Sequence, residues 1–223
     1  MPARPAPWDG CAALVLAGGR SRRLGRDKLR EPLAGEPWDD ETRAPDAAPT
    51  VLDAVLAGVP SDVPVVLVGP PRRTVRPVLV AREDPPGGGP AAGIAAGHAA
   101  LAARGAALPQ HGTGPQHVAV LAGDAPFAPA AVPALLAALR RDPGADVAVA
   151  QGPDGHVQPL LALYRATALG RATAVDLTGR PARALLDHLA VLRVPVTAET
   201  LLDVDTADDL TRARAAARAR LRL

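Results

Sequence analysis

Lys28 is the only lysine in a chain of 223 residues that holds 25 lysines and arginines together. Where arginine has taken nearly every basic position, a surviving lysine marks a place that needs a compact ammonium rather than a planar fork. It closes the run Leu14 to Lys28, LVLAGGRSRRLGRDK, which also carries Arg20, Arg22, Arg23 and Arg26. Leu14, Val15 and Leu16 suit a buried parallel strand. Gly18 and Gly19 remove the side chains that would stop the backbone from closing on a ligand. The N–H groups of such a loop face an anion, and the basic residues behind them make that anion phosphate-sized.

Carboxylates at strand ends supply the complementary chemistry. Asp124 ends the apolar run His117 to Asp124, HVAVLAGD, and the carboxyl end of a parallel strand is where doubly wound sheets bind ligands. Magnesium suits that position; capping the following helix is an equally good use of the same residue. Asp203 and Asp205 stand at period two, so they share one face of an extended segment and offer a second metal ligand. Thr206 and Asp209 just after them form a capping box that needs no functional explanation. Asp84 sits at another strand end, before Pro85-Pro86-Gly87-Gly88-Gly89-Pro90. Proline at a helix start with a carboxylate upstream is ordinary capping, but three consecutive glycines point to close backbone approach to a ligand.

The elements that must hold these residues follow from periodicity. Strands are predicted at Leu14–Leu16, Val63–Val68, Val78–Ala81, His117–Asp124, Asp146–Ala150, Val157–Tyr164 and Val191–Val196. Pro159 makes the sixth an edge or a bend. Helices are predicted at Thr50–Val59, Ala91–Arg104, Ala130–Arg141, Ala166–Ala174, Ala182–Leu189 and from Thr206 through Arg222. The second helix is nearly all alanine and glycine, so it must lie very close to its neighbours. Residues 1–10 read as a loose arm and 36–49, with Trp38, as a flexible loop. Residues 105–117 read as a second loop whose His111 and His117 face solvent. Strands alternating with helices over this length predict one α/β domain covering residues 1–223, a three-layer α/β/α Rossmann-like domain with a mostly parallel sheet.

Composition excludes other classes. Hydrophobic residues make up 48% of the chain but aromatic residues only 2%, so the core is built from alanine, valine and leucine, and no aromatic surface accompanies the arginines to stack nucleic-acid bases. Phe127 and Tyr164 stand alone as phenylalanine and tyrosine and serve either a motif or the core. One cysteine, Cys11, rules out an internal disulfide or a cysteine zinc cluster and suits a buried strand position in a reducing cytoplasm. Proline, glycine or charge interrupts every apolar stretch before it reaches membrane-spanning length. The spacing of AGGRSRRLG is not that of a dinucleotide GxGxxG loop, and Gly25 lacks the adjoining Lys and Ser/Thr of a P-loop. A non-catalytic nucleotide-binding module remains open on the residues alone.

Five stretches in this order, LAGGRSRRLGRDK at 16–28, EDPPGGGPAAGIAAG at 83–97, LAGDAPF at 121–127, QPLLALYR at 158–165 and DVDTADDL at 203–210, resemble the molybdenum-cofactor guanylyltransferases of the nucleotidyltransferase superfamily. The resemblance implies transfer of GMP from GTP to the terminal phosphate of molybdopterin, releasing pyrophosphate, with Mg2+. By it, Leu16, Ala17, Gly18 and Gly19 hold the guanine and ribose side, Arg23 and Lys28 the triphosphate, Asp84 the nucleotide, and Asp124, helped by Asp205, the metal. Gln158 to Arg165, with Gln158 and Tyr164 as candidates, lies toward the acceptor. The family's NxNTPEDL is DVDTADDL here, and its His-Pro is Gln158-Pro159. The Asp-Val-Asp-Thr form is shared with molybdenum-cofactor cytidylyltransferases, which use CTP, whereas Ala17-Gly18-Gly19 in place of their LAAG favours guanine. Other small phosphorylated acceptors stay open.

Overall fold

The computed structural model describes residues 7–19, 24–34, 48–107 and 114–220. Its centre is a seven-stranded sheet built from β1 (Cys11–Leu16), β2 (Val65–Val68), β3 (Leu79–Ala81), β4 (His117–Ala122), β5 (Val147–Gln151), β6 (Val157–Arg165) and β7 (Val191–Pro195). The order across the sheet is β3-β2-β1-β4-β6-β5-β7. Only β6 runs against its neighbours; the other pairings are parallel. The helices are α1 (Val51–Ala57), α2 (Gly89–Ala107), α3 (Val132–Arg141), α4 (Ala166–Ala172) and α5 (Ala207–Arg220).

Strand periodicity produces the layers directly. Ala13 and Val15 of β1, Leu67 of β2 and Ala119 and Leu121 of β4 face one way, onto Leu52, Val55 and Leu56 of α1 and Val132, Leu135 and Leu139 of α3. Their alternates Ala12, Leu14, Val66, Val118 and Val120 face the other way, onto α2 and Leu169 of α4. Both faces of the sheet are covered, as parallel strands require. A third apolar cluster, with Phe127, Leu202, Val204, Leu210 and Ala213, fastens α5 to the turn after β4. Phe127 is thus a core residue, with the Arg220 guanidinium 4.3 Å from its ring centroid.

Helix α2 is close to the sheet because it has almost no side chains to hold it off. A Cβ built on Gly97 would lie 2.7 Å from Val68 Cγ2 and 3.2 Å from Leu14 Cδ2. Helix α1 starts with the reciprocal Thr50/Asp53 capping box and is shorter than its predicted span.

Several expectations are corrected. Trp8 is buried against the core, so residues 7–10 are a packed turn rather than part of a loose arm. His117 is buried on β4, and burial lowers its pKa; it is not a surface residue. Residues 105–107 continue α2. Residues 182–186 form a 3₁₀ helix rather than an α-helix. Strand β6 is central, and Pro159 is accommodated by a register shift between Val149 and Ala150 of β5, the bend and not the edge. Cys11 is buried as expected, its thiol pushed up to about 11 chiefly by burial. Trp38, His111 and Arg222 lie outside the described residues.

The glycines of α2 divide by what surrounds them. Nothing lies within 4 Å of a Cβ on Gly105, so Gly105→Ala is expected to gain up to about 1 kcal/mol from helix propensity. Gly97→Ala gains the same term but forces Val68 and Leu14 aside, and overpacking of about 1–3 kcal/mol outweighs it. Urea midpoints of the two variants should therefore move in opposite directions.

Candidate active site

The loop leaving β1 returns at a 3₁₀ helix, Lys28–Arg30, whose N-cap Asp27 accepts from Leu29 N–H at 3.2 Å. This cap fixes the direction of the next side chain. Lys28 is 11% exposed, and its Nζ stands 2.5 Å from Asp124 Oδ2 and 2.5 Å from Asp205 Oδ1. Asp124 lies two residues beyond β4, and Asp205 lies just before α5. The two carboxylate segments are tied by backbone, Val204 N–H donating to the Asp124 carbonyl at 3.0 Å. Leu202 and Val204 turn into the third apolar cluster, so alternation turns Asp203 and Asp205 the other way.

These groups perturb one another. Burial disfavours the Lys28 ammonium, but hydrogen bonds and charges from Asp124 and Asp205 outweigh it and hold its pKa above the usual lysine value. The Asp203 carboxyl is pushed up by desolvation, then by the Asp124 and Asp205 charges.

Two braces hold the loop that delivers Lys28. Arg72, in the segment after β2, donates from its guanidinium to the Asp27 carboxylate and to the Ala17 carbonyl at 3.2 Å, so one fork spans both ends of the loop. Gly69 in the same segment packs against Ala17 and Gly18; at its φ of +145° a Cβ would lie 2.8 Å from the Ala17 carbonyl carbon. On the other side, the buried Glu31 carboxylate pairs with Arg26 and lies 3.8 Å from Arg214 of α5.

Two cavities meet at Asp124. The first, of about 330 Å³, is lined by Leu16, Gly18, Gly19, Val68, Glu83, the Gly87–Gly89 turn, Gly93 and Asp124. The second, of about 440 Å³, is lined by Asp124, Gln158, Pro159, Arg183, Thr200, Asp203 and Asp205. Pro90, Ala122, Asp124 and Leu160 border both.

Of the residues singled out from sequence, Leu16, Gly18, Gly19 and Asp124 line the first cavity, and Asp205 and Gln158 the second. Ala17 is buried behind the loop, its N–H donating to Val68 at 2.7 Å. Arg23 lies outside the described residues. Two expectations need correction. Asp84 is exposed, and the neighbouring Glu83 lines the cavity instead, because the chain leaves β3 with alternate residues on opposite sides. Tyr164 is fully buried among Val118, Val147 and Leu169; its strand runs antiparallel, so residue 158 reaches the cavities and residue 164 the far side of the core. Sequence reasoning also passed over Arg72, whose partners are distant in the chain, Glu31, which pairs with Arg26 and faces Arg214, and Arg183, which lines the second cavity.

Residues 13–194 match the family model of the MobA-like NTP transferase domain. The chain belongs to this family. It is 32% identical over 216 residues to a probable molybdenum cofactor guanylyltransferase of Chloroflexus aggregans, covering 89% of this chain and 91% of that one. A second probable molybdenum cofactor guanylyltransferase, of Opitutus terrae, is 37% identical over 184 residues, covering 81% and 78%. The fold is that of the crystal structure of molybdopterin-guanine dinucleotide biosynthesis protein A from Archaeoglobus fulgidus, with a TM-score of 0.61, 24% identity and coverage of 93% and 99%. The chain is therefore a nucleotidyltransferase, with the Rossmann-like α/β fold of that group. None of the described helices of the transferase is long and apolar enough to cross a membrane.

The transferase's acidic cluster fits a divalent cation of one kind. Three carboxylates, Asp124, Asp203 and Asp205, face one ammonium, and carboxylate oxygens are the donors that hard cations take. Among the described residues no group of three or more His, Cys, Asp or Glu forms a metal cage by itself. The donor set thus suits an ion held by two carboxylates that draws its remaining ligands from substrate phosphates.

Because the Lys28 pKa is raised on folding, its contribution to stability is complete below the ordinary lysine value of 10.5 and is lost as the pH rises through the higher folded value. The stability difference between wild type and Lys28→Met, measured by urea unfolding, should hold from pH 7 to about 10 and shrink above it.

Proposed function

We propose that the transferase moves GMP from GTP onto the terminal phosphate of molybdopterin, releasing pyrophosphate, with magnesium as the divalent ion. The observation that carries this reading is the Lys28 ammonium, 2.5 Å from both Asp124 and Asp205, at the wall where two cavities meet. One cavity takes the nucleotide and the other the acceptor, so the phosphates to be joined converge on Asp124. The two relatives named as guanylyltransferases support guanine and molybdopterin as the substrates.

An oxygen of the ionised acceptor phosphate attacks the α-phosphorus of GTP. The new P–O bond forms as the bond to the β-phosphate oxygen breaks, and pyrophosphate leaves with the electron pair. An ionised phosphate needs no general base, so catalysis reduces to alignment and charge neutralisation. Gly18 and Gly19 let the loop backbone approach the phosphates, and Lys28 places its charge beside the α-phosphate. Arg23 takes the leaving pyrophosphate. Asp124 and Asp205 would hold magnesium, which would supply positive charge to offset that of the reacting phosphates. Gln158, on the second cavity, orients the acceptor. The whole chain is one catalytic domain in this reading.

Pyrophosphate release with GTP and molybdopterin tests the proposal. Lys28→Ala and Asp124→Ala should each lower kcat on the order of 100-fold or more, as loss of a charge-stabilising group does, with circular dichroism unchanged. Equal turnover with CTP, or undiminished release from either folded variant, sinks it.

A further inference from the structure

The first cavity has a carboxylate at each end, and the mechanism above uses only one. Across the sheet, Ala81 of β3 pairs with Val68, Val68 with Leu16, and Leu16 with Ala122 of β4. These four residues form one row at the carboxyl edges of parallel strands. Two residues beyond each end of the row stands an acid: Glu83 after Ala81 and Asp124 after Ala122. Three strand spacings separate the ends by about 14 Å, and both acids line the same cavity. The Asp124 end belongs to the phosphates, because Lys28 is there. A nucleoside triphosphate laid along the row with its phosphates at Asp124 brings its base to Glu83. The floor between them is Leu16, Val68 and glycines, which suits a flat ring.

The Glu83 carboxylate is held for such a role. Oε1 accepts from Gly87 N–H at 3.0 Å, which fixes the group against the glycine turn, and among the described residues no donor meets Oε2. An ionised carboxylate only accepts, and each of its oxygens has room for two hydrogen bonds. Guanine is the base whose Watson–Crick edge presents two adjacent donors, N1–H and the 2-amino group. Adenine and cytosine present an unprotonated ring nitrogen there, which a carboxylate repels. We infer that Glu83 is the specificity-determining residue of the nucleotide cavity, accepting from N1–H and the 2-amino group of guanine. The inference rests on GTP as the substrate and adds the side chain that selects it.

GTP, ITP and XTP differ at C2, which carries an amino group, a hydrogen or a carbonyl, and XTP differs also at the neighbouring N3, which bears an acidic proton. Their affinities for the full chain, read with magnesium by calorimetry, separate base reading from bracing of the turn. The wild type should prefer GTP to ITP and to XTP by about tenfold or more, since of the three only GTP gives the carboxylate a second donor and XTP sets a carbonyl oxygen against it. Glu83→Gln keeps an oxygen for Gly87 and turns an NH₂ toward C2, so it should reverse the order of GTP and XTP, which a merely structural role would not do. A Glu83→Gln protein that retains the wild-type order overturns the assignment, as do equal wild-type affinities for GTP and ITP, and either result leaves the proposed GMP transfer standing. A wild type that binds CTP but not GTP overturns both.

Discussion

An ammonium shared by two carboxylates is the contact that brings three distant parts of the chain to one point. Lys28 comes from the loop after β1, Asp124 from the end of β4, and Asp205 from the segment before α5. A lysine so little exposed costs desolvation, and the two acids offset it only if the geometry is held. The surrounding polar architecture supplies that hold. Asp27 caps the 3₁₀ helix, Arg72 ties both ends of the loop, and Arg26, Glu31 and Arg214 link that helix to α5. The Val204 amide on the Asp124 carbonyl then fixes one acid segment against the other.

Strand direction decides which residues of each motif reach this point. The parallel strands β1, β2, β3 and β4 end at one edge of the sheet, so residues just past their carboxyl ends collect there. Strand β6 is antiparallel to β4 and β5, and it brings its amino end to the same edge. Gln158, Pro159 and Leu160 therefore border the second cavity, while Tyr164, opposite Val118 and Val147, lies deep between sheet and helices. The register shift leaves Pro159 outside the paired positions of both neighbours, so a strand that cannot donate there remains central.

The same physics explains what was legible in the sequence. Strands were readable because alternate residues enter different cores, and the closeness of α2 because glycine and alanine leave no other distance. Lys28 stands out because it is the one lysine of the chain, and Asp124 and Asp205 because each borders an element whose type the periodicity reveals. Which of Glu83 and Asp84 faces the cavity was not legible because β3 is three residues long, too short for a period to fix which side the next acid takes. QPLLALYR does not act as a unit, because nine residues of strand span the whole core and set Gln158 and Tyr164 at opposite ends of it. Arg72 left no local signal, since its partners are tens of residues away, and the link from Glu31 to Arg214 is equally distant in the chain.

Arginine and lysine divide the work of this chain by shape. Arg76 donates to the carbonyls of Val59, Pro60, Ser61 and Val63, and Arg165 to those of Leu139, Asp142 and Ala145. Arg72 joins a carbonyl and a carboxylate. In each case a planar fork with several fixed donors fastens backbone that no ladder holds, which an ammonium on a flexible stem does poorly. Between Asp124 and Asp205 the demand is reversed. There a point charge must sit close to two acids and be able to turn toward a phosphate, and a guanidinium is too broad to do both. A chain that uses arginine for nearly every fastening thus keeps its one lysine where charge must be compact.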